Sequence, residues 1–320
     1  MEGVLALIKD DLRRVEEEFR RKLKSRVPLI TRIAEHLVKS GGKRLRPALL
    51  ILASRLCGYR GEAHIPLAGA IEFIHTATLL HDDVIDNAEV RRGNPSANVL
   101  WGNEASVLVG DFLYSRSFQM MVGLDSMRIM EVLAQTTNTI AEGEVQQLLN
   151  MGDPEVNRQR YMQVIENKTA KLFEAACSLG AIVSGQPAEI ETALAIYGNR
   201  LGSAFQIADD VLDYTGDADT MGKNAGDDLA EGKPTLPLII AREKCTDQER
   251  DLLDSAIQNG GVEDLDPILT IIRGTDSLNS AMEIAREGAA QARQAIGILP
   301  DSTWRRALEQ LADYSVNRDH

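Results

Sequence analysis

The sequence lacks the features of a membrane-embedded or disulfide-linked protein. No run of apolar residues approaches the about 18 that a membrane-spanning helix requires. Charged residues at positions 9 to 11 interrupt any hydrophobic core of a signal peptide. The chain contains three cysteines that lie far apart and form no CxxC pair, Cys57, Cys177 and Cys245. We therefore expect a cytoplasmic protein with reduced thiols that is not an integral membrane protein.

Proline and glycine are also scarce, with 10 and 25 residues among 320. They are scattered along the chain, and no Ser/Gly/Pro-rich stretch separates two differently composed halves. A chain that is 44% hydrophobic can bury a large core. The sequence therefore predicts a single ordered domain over residues 1–320.

Basic residues are outnumbered, since 35 Lys and Arg face 48 Asp and Glu and give a formal charge of −13. Proteins that bind nucleic acid or anionic membranes directly usually have an excess of cations, because cations contact the phosphates. The acidic balance argues against a nucleic-acid partner. It leaves open an anionic ligand that is bound through a metal ion.

Helical periodicity extends along most of the sequence. Between Asp10 and Lys24, for example, Leu12, Val15 and Phe19 recur at spacings of three and four, which is the period of an amphipathic helix. Alternating strand-like stretches of useful length are missing. The segment 215–237 is rich in Gly, Asp and Pro and is predicted to be one long functional loop. The periodic windows predict an all-α fold of around a dozen helices, at residues 10–24, 30–39, 47–56, 66–86, 104–122, 126–150, 157–183, 188–213, 236–243, 248–259, 264–273, 277–296 and 302–318.

Two of these helices carry aspartates four residues apart, Asp82 with Asp86 and Asp209 with Asp213. At 100° per residue the members of each pair lie on the same helix face, one turn apart, where they repel each other. A cation is therefore expected across each pair. Mg²⁺ is normally held by one or two carboxylates together with phosphate oxygens and water. A lone motif of this kind would be better explained as a solvated helix end, whereas two copies among apolar residues favour two metal-binding faces that clamp a diphosphate.

Basic residues cluster near these motifs. The segment Gly41–Pro47 (GGKRLRP) precedes a helix predicted to begin at Pro47, so Lys43 and Arg46 can face an anion at a helix N-terminus. Lys168 lies in the periodic window 157–183, where burying a lysine without a partner would be costly. The remaining candidates are Arg91, Arg92, Lys223 and Lys233.

Five motifs occur in a characteristic order: GGKRLRP, HDDVID followed by RRG, ENKTA, FQIADDVLD and GKNAGDDLAEGKPTLP. With them the sequence resembles the trans-type polyprenyl diphosphate synthases over essentially its whole length, especially bacterial octaprenyl diphosphate synthases and their nonaprenyl relatives. The resemblance implies the all-α isoprenoid synthase fold, a homodimer and Mg²⁺-dependent addition of isopentenyl diphosphate to an allylic diphosphate, with farnesyl diphosphate as the expected primer. It also implies a product that becomes the side chain of a quinone, as in ubiquinone biosynthesis.

The resemblance further implies roles for individual residues. The metal ligands of the first region would be Asp82 and Asp86, with Asp83 supporting them. In the second region Asp209 would bind the metal, with Asp210 and Asp213 acting directly or through metal-bound water. Isopentenyl diphosphate, which binds without metal and so requires direct cations, would contact Lys43, Arg46, His75 and Arg92. The allylic diphosphate would contact Arg91, Lys168, Lys223 and Lys233, and its reacting carbon would lie near Thr169 and Gln206. The expected catalytic residues are Arg91, Lys168, Thr169, Gln206 and Lys233. Arg318 lies where relatives place a basic tail, and its role is open.

Product length is partly encoded just before the first aspartate region. In short-chain members of the family, bulky aromatics stand four or five residues before the first aspartate, whereas this chain has Thr78 and Ala77 there. Thr78 lies one turn, about 5.4 Å, from Asp82 on the same face, so its small side chain leaves a path along the helix. We expect a long product, with octaprenyl diphosphate preferred over nonaprenyl or decaprenyl. Candidates for the floor of the product tunnel, each also explicable as ordinary core packing, are Phe112, Phe118, Met120 and Met121.

Two other classes of protein remain as alternatives. A terpene cyclase shares the all-α fold and an aspartate-rich motif, but it has one substrate and does not need a second group of cations. A non-catalytic subunit of a heteromeric synthase typically loses one aspartate region, and both are intact here. The six motif aspartates also explain part of the negative charge, since the other 42 acids against 35 bases leave −7. We expect binding of the allylic substrate to depend on Mg²⁺, and binding of isopentenyl diphosphate to depend on it much less.

Overall fold

A computed structural model of the chain describes residues 1–39, 41–215, 226–260 and 265–317. These residues are mostly helical, which confirms the all-α prediction. They divide into two compact units, each assembled from segments that are distant in the sequence. Unit 1 comprises Met1–Thr137, Leu172–Ala195 and Ile296–Gln310, and unit 2 comprises Asn138–Lys171, Ile196–Ala295 and Leu311–His320. The single domain over residues 1–320 stays a prediction.

The first part of the chain contains α1 (Glu2–Leu7), α2 (Lys9–Leu23), α3 (Pro28–Lys39), α4 (Leu45–Leu56), α5 (His64–Ile85), α6 (Ala97–Trp101), α7 (Asn103–Val122) and α8 (Met127–Asn150). A short antiparallel hairpin of β1 (Val90–Arg91) and β2 (Asn94–Pro95) follows α5. The second part contains α9 (Arg158–Ile165), a π-helical turn (Glu166–Ala170), α10 (Lys171–Val183), α11 (Ala188–Thr215), α12 (Asp227–Ala230), α13 (Leu236–Lys244), α14 (Asp247–Asn259), α15 (Leu265–Gly274), α16 (Ser277–Ala295), a 3₁₀ turn (Ile296–Ile298) and α17 (Thr303–Val316). None of these helices combines the length and apolarity needed to cross a lipid bilayer.

The predicted helical windows agree with the observed helices to within a few residues, and the differences are local. Helix α4 begins at Leu45 rather than Pro47, so Arg46 lies in its first turn. Helices α1, α6 and α12 and the hairpin are too short to show a hydrophobic period, and they were not predicted. The prediction of one long loop over 215–237 is wrong in its second half, where α12 forms and α13 begins. Residues 216–225 lie outside the described part of the chain.

Helix α5 lies at the centre of unit 1, and α2, α4 and α7 pack against it. The rings of Phe19 on α2 and Phe73 on α5 stack with their centroids 4.2 Å apart. Nearer the end of α5, Gly110 of α7 leaves room for His81, since a Cβ at Gly110 would lie 2.3 Å from the imidazole Nε2. Burial of these apolar surfaces fixes the rotation of α5, and with it the directions in which its polar residues point.

The core of unit 2 is formed by residues of α11 through α15. Tyr214 at the end of α11 is buried there, and its hydroxyl lies 3.0 Å from Oγ1 of Thr235. The π-helical turn between α9 and α10 approaches α8 closely at Gly143, where a Cβ would lie 2.6 Å from the backbone nitrogen of Lys168. Glycine is therefore required at this crossing. Single π-turns inside helices are frequent at functional sites, and this one carries Lys168 and Thr169.

Candidate active site

The first aspartate region is the last turn of α5. Asp86 caps the helix, and its backbone N–H donates to the carbonyl of Asp82 at 2.8 Å. Asp82 and Asp86 are both partly exposed, whereas Asp83 is completely buried. Because neighbouring residues on a helix differ by about 100° in direction, Asp83 cannot share the exposed face of the other two. The region thus leaves two carboxylates partly exposed and turns the third inward.

The buried Asp83 carboxylate binds Arg91 of the hairpin. Nε of Arg91 donates to Oδ1 of Asp83 at 2.6 Å, while Oδ2 of Asp83 is buried without a hydrogen bond among the described residues. Burial raises the pKa of Asp83, and the Arg91 guanidinium acts in the opposite direction. Asp83 therefore orients Arg91 through Nε.

The sequence Arg-Arg-Gly produces a tight two-residue turn. Arg92 and Gly93 both have positive φ, 53° and 74°, as a type I′ hairpin turn requires. The Arg92 guanidinium donates to the carbonyl of Gly41 in the GGKRLRP segment. A Cβ at Gly42 would lie 2.7 Å from Arg92 Nη1, so only glycine leaves room for this contact. Burial, followed by the charge of Arg91, lowers the pKa of Arg92.

Arg46 and His75 form a second contact in the same unit. Nη1 of Arg46 lies 3.1 Å from Nε2 of His75, and arginine can only donate, so Nε2 accepts and the ring proton lies on Nδ1. Burial and the positive charge of Arg46 lower the pKa of His75 well below its ordinary value, which keeps the imidazole neutral. The Arg46 guanidinium also lies over the ring of Phe173, 4.5 Å from its centroid.

His75 and the first aspartate pair lie along one helix. His75 and Asp82 are separated by seven residues on α5, which is two turns or about 10 Å along the axis. Arg46 contacts His75 from α4. Unit 1 therefore contains both groups that are predicted to recognise anions, the aspartate pair and the arginines with a neutral histidine.

The second aspartate region lies on α11 in unit 2 and repeats the pattern. Asp209 and Asp213 are partly exposed, whereas Asp210 is 3% exposed. The Tyr161 hydroxyl donates to Oδ2 of Asp210 at 2.6 Å, and Nε2 of Gln206 donates to Oδ1 at 2.8 Å. Burial and the nearby charge of Asp228 raise the pKa of Asp210 well above its ordinary value. Burial, together with Asp210, likewise raises the pKa of Tyr161.

The residues predicted to lie beside the reacting carbon are in contact. Thr169 on the π-helical turn donates through Oγ1 to Oε1 of Gln206 on α11 at 3.0 Å. The neighbouring Lys168 forms an ion pair with Glu144 of α8, with Nζ 2.6 Å from Oε2. Lys233 likewise pairs with Glu231. The expected cost of burying Lys168 is thus offset by a carboxylate, and both lysines are held close to acids of unit 2.

The carboxylates present fit a magnesium ion that is shared with a ligand. Hard oxygen donors such as aspartate suit Mg²⁺, and no His or Cys lies among the predicted ligands. Within the described ranges no group of three or more His, Cys, Asp or Glu residues is arranged to hold a metal ion without further ligands. Sites of one or two carboxylates are those in which diphosphate oxygens and water complete the coordination of Mg²⁺.

Comparison with known proteins identifies the family. Residues 27–272 match the family described as polyprenyl synthetase. The chain belongs to this family. It is 47% identical over 320 residues to octaprenyl diphosphate synthase of Escherichia coli K12, covering 100% of this chain and 99% of that protein. It is 42% identical over 318 residues to a geranyl-diphosphate-specific all-trans-nonaprenyl-diphosphate synthase of Rhodobacter capsulatus, covering 99% and 98% of the two chains.

The same relationship appears among solved structures. A polyprenyl synthase from Caulobacter crescentus, crystallised with calcium and isoprenyl diphosphate, superposes with a TM-score of 0.96 at 42% identity, covering 100% of this chain and 98% of that one. The fold of this polyprenyl synthetase is therefore the all-α isoprenoid synthase fold, and the protein is a prenyltransferase. The individual site residues stay predictions.

Two of the predicted residues, Lys223 and Arg318, lie outside the described part of the chain. The chain-length positions are on α5, where Ala77 is fully buried and Thr78 is partly buried. Among the candidates for the tunnel floor, Met120 and Met121 are buried, and Phe112 and Phe118 are partly exposed.

Sequence reasoning missed several residues that support the site. Arg44, which has a positive φ of 49°, pairs with the nearly buried Glu72 of α5 and so fixes the GGKRLRP segment. Tyr161 and Glu144 bind Asp210 and Lys168. The two adjacent aspartates in each motif could have indicated that one of them needs a partner inside the protein, because only one of two neighbours can face the ligand. The partners themselves are 49 and 24 residues away in the sequence, and no spacing rule connects them.

Proposed function

We propose that this polyprenyl synthetase is an octaprenyl diphosphate synthase that adds isopentenyl diphosphate units, with Mg²⁺, to an allylic primer such as farnesyl diphosphate. The full-length similarity to the octaprenyl enzyme of Escherichia coli supports this product. The Rhodobacter capsulatus relative, named as a nonaprenyl synthase, keeps a nonaprenyl or decaprenyl product as the alternative.

The observation that carries the proposal is the pair of anion-recognition groups in unit 1. A condensation of two diphosphates requires two such groups, and only the diphosphate that leaves needs a metal ion. Asp82 and Asp86 fit the first role, and Arg46 with Arg92 fit the second. A terpene cyclase has one diphosphate substrate, so it would not need the second group, which contains Arg46 and Arg92.

The allylic half of the reaction requires stabilisation of a departing pyrophosphate. Asp82 and Asp86 of unit 1 would hold Mg²⁺, and so would Asp209 and Asp213 of unit 2. The ion, when bound, would neutralise the negative charge that develops as the C1–O bond breaks. Arg91, oriented by Asp83, contacts the same diphosphate through its terminal nitrogens. Lys168 and Lys233 contribute two further cations, which exchange their carboxylate partners for phosphate oxygens when the substrate binds.

The second half of the reaction forms the new carbon–carbon bond. Thr169 and Gln206 offer oxygen dipoles to the allylic cation without attacking it. The double bond of isopentenyl diphosphate attacks C1 of this cation, and the resulting tertiary cation loses a proton to the departing pyrophosphate. The product is one trans C5 unit longer, and pyrophosphate is released. No side chain is required as the general base, and His81 instead lies against α7, with Nε2 3.2 Å from the carbonyl of Val107.

Three free cysteines support the proposed cytoplasmic location, since disulfides are rare in reducing compartments. We also propose that the polyprenyl product supplies the side chain of a quinone, in ubiquinone biosynthesis. A non-catalytic subunit is disfavoured, because both aspartate regions retain two carboxylates on the exposed face.

The activity is tested by incubating the purified protein with farnesyl diphosphate, labelled isopentenyl diphosphate and Mg²⁺, followed by chain-length analysis. We expect octaprenyl diphosphate as the main product. With EDTA the rate should fall by at least about 1,000-fold, because the negative charge of the departing pyrophosphate then lacks its metal counterion. Adding Mg²⁺ back serves as the control. Absence of elongation, or elongation that persists in EDTA, would reject the proposal.

Product length is tested by replacing Thr78 with Tyr. An aromatic ring one turn from Asp82 should block the growing chain, so the main product should shorten by several C5 units while the first condensation remains within about tenfold of wild type. Leu79→Tyr is the matched control, because the same bulk then points about 100° away on α5. Ala77→Tyr is less informative, since Ala77 is fully buried and a large ring there disturbs the core. An unchanged product ladder for Thr78→Tyr would contradict the proposed path.

We further propose that the enzyme is a homodimer. Unit 1 exposes large apolar side chains on α6 and α7, among which Leu108 is 67% exposed and Leu100 is 46% exposed. Large exposed apolar side chains on two neighbouring helices are typical of an interface, and a two-fold interface would use the same residues on both copies.

The dimer is tested by sedimentation equilibrium of Leu108→Glu. We expect the wild-type protein to sediment as a dimer. The dimer dissociation constant of the variant should be at least about 100-fold higher, because two charges would face each other in the interface. Ile298→Glu places the same charge on another exposed apolar residue, 54% exposed, and should leave the dimer intact. A monomeric wild type, or a dimer unaffected by Leu108→Glu, would refute this interface.

A further inference from the structure

The contacts of Asp210 form a directed chain of hydrogen bonds. Tyr161 and Gln206 each donate to one oxygen of the carboxylate, and Thr169 donates to the amide oxygen of Gln206. Both oxygens of Asp210 therefore accept a short hydrogen bond from protein. The chain links a buried group to the two residues proposed to stabilise the allylic cation.

The direction of this chain is seen in the orientation of the Gln206 amide. Its nitrogen faces Asp210, and its oxygen faces Thr169. Thr169 is then obliged to donate its only proton to Gln206, which leaves both lone pairs of its oxygen for a cation. If the amide were reversed, its nitrogen would donate to Thr169, and the Thr169 proton would be turned toward the substrate instead.

Asp210 is also poorly placed to bind metal directly. Only 3% of it is exposed, whereas its neighbours Asp209 and Asp213 are partly exposed on the next face of α11. Both of its oxygens already accept a hydrogen bond inside the protein, and little of the residue is accessible to an ion. The arrangement is the counterpart of Asp83, which is buried and orients Arg91.

We propose that Asp210, held by Tyr161, is a positioning residue that sets the orientation of the Gln206 amide and thereby of the Thr169 hydroxyl, and that it is not a ligand of Mg²⁺. This inference rests on the proposed function. It assigns different tasks to the aspartates of the second region, with metal binding by Asp209 and Asp213 and orientation by Asp210. It also adds Tyr161, which the sequence motifs do not include, to the residues on which the chemical step depends.

The central test compares Asp210→Asn with Asp210→Leu in elongation kinetics. Asparagine keeps an acceptor oxygen for Gln206 and similar volume, so its kcat should remain within about tenfold of wild type. Leucine removes both acceptors, and its kcat should fall by at least about 100-fold while the KM for the allylic substrate changes less than about threefold. An equal loss in both variants would overturn the proposal.

A second test uses Tyr161→Phe, which removes one donor and leaves the packing of the ring. We expect kcat to fall by about 5- to 20-fold with KM values unchanged, because Asp210 then holds Gln206 less firmly. Tyr59→Phe is the control, since its hydroxyl accepts from the Ala63 backbone at 3.2 Å and lies outside this network. Full kcat in Tyr161→Phe would count against the positioning role.

The dependence of the rate on Mg²⁺ separates positioning from metal binding. Asp210→Asn should keep the half-saturating Mg²⁺ concentration within about twofold of wild type, whereas Asp209→Asn should raise it by at least about tenfold. A raised Mg²⁺ requirement in Asp210→Asn would make it a ligand and refute the inference. If wild-type protein does not elongate at all, the proposed function itself fails. If wild type elongates and the variants differ from these outcomes, only the positioning role fails.

Discussion

A buried carboxylate beside each exposed aspartate pair is the group on which the local geometry of both regions depends. Asp83 is fully buried and Asp210 is nearly so, and each is hydrogen-bonded to a residue proposed to act on the substrate. Burying a carboxylate without hydrogen bonds is costly, so these partners are held firmly. The constraint acts within each unit separately, through Arg91 in unit 1 and Gln206 in unit 2. In both cases one aspartate is buried and supports the local geometry, while its two neighbours in the motif are partly exposed.

The proposed function separates two ways of recognising a diphosphate. The exposed carboxylates would require a divalent cation between protein and ligand. Arg46 and Arg92 would need no metal, and they lie with a histidine that is kept neutral by burial and by its arginine neighbours. This proposed division would explain how an acidic chain of formal charge −13 can bind anionic substrates. It also matches the chemistry, because only the allylic diphosphate becomes a leaving group and develops additional charge.

Much of the fold was predictable because long amphipathic helices leave a clear period in the sequence. The bounds of α2, α5 and α7 lie within a few residues of the predicted windows. The hairpin and the π-helical turn were not predictable, because each depends on contacts with residues far along the chain. Gly42 and Gly143 show this, since their roles appear only when Arg92 and Lys168 are seen to pack against them.

The candidate site, like the fold, was only partly predictable from the sequence. The spacing of four indicated that Asp82 shares a helix face with Asp86, and Asp209 with Asp213, but not what the adjacent Asp83 and Asp210 would contact. Helix geometry alone requires the two to diverge by about 100°, and the choice between them is made by burial of the surrounding apolar face. Partners such as Tyr161 come from a different helix and carry no signal in the sequence.

The claim that one diphosphate is recognised through Mg²⁺ and the other directly is tested by titration calorimetry of substrate binding with and without Mg²⁺. A non-reactive farnesyl diphosphate analogue should bind at least about tenfold more weakly in EDTA, whereas the Kd of isopentenyl diphosphate should change less than about threefold. Equal dependence of the two ligands on Mg²⁺, or binding of the allylic analogue that is unaffected by EDTA, would contradict the division between metal-mediated and direct recognition.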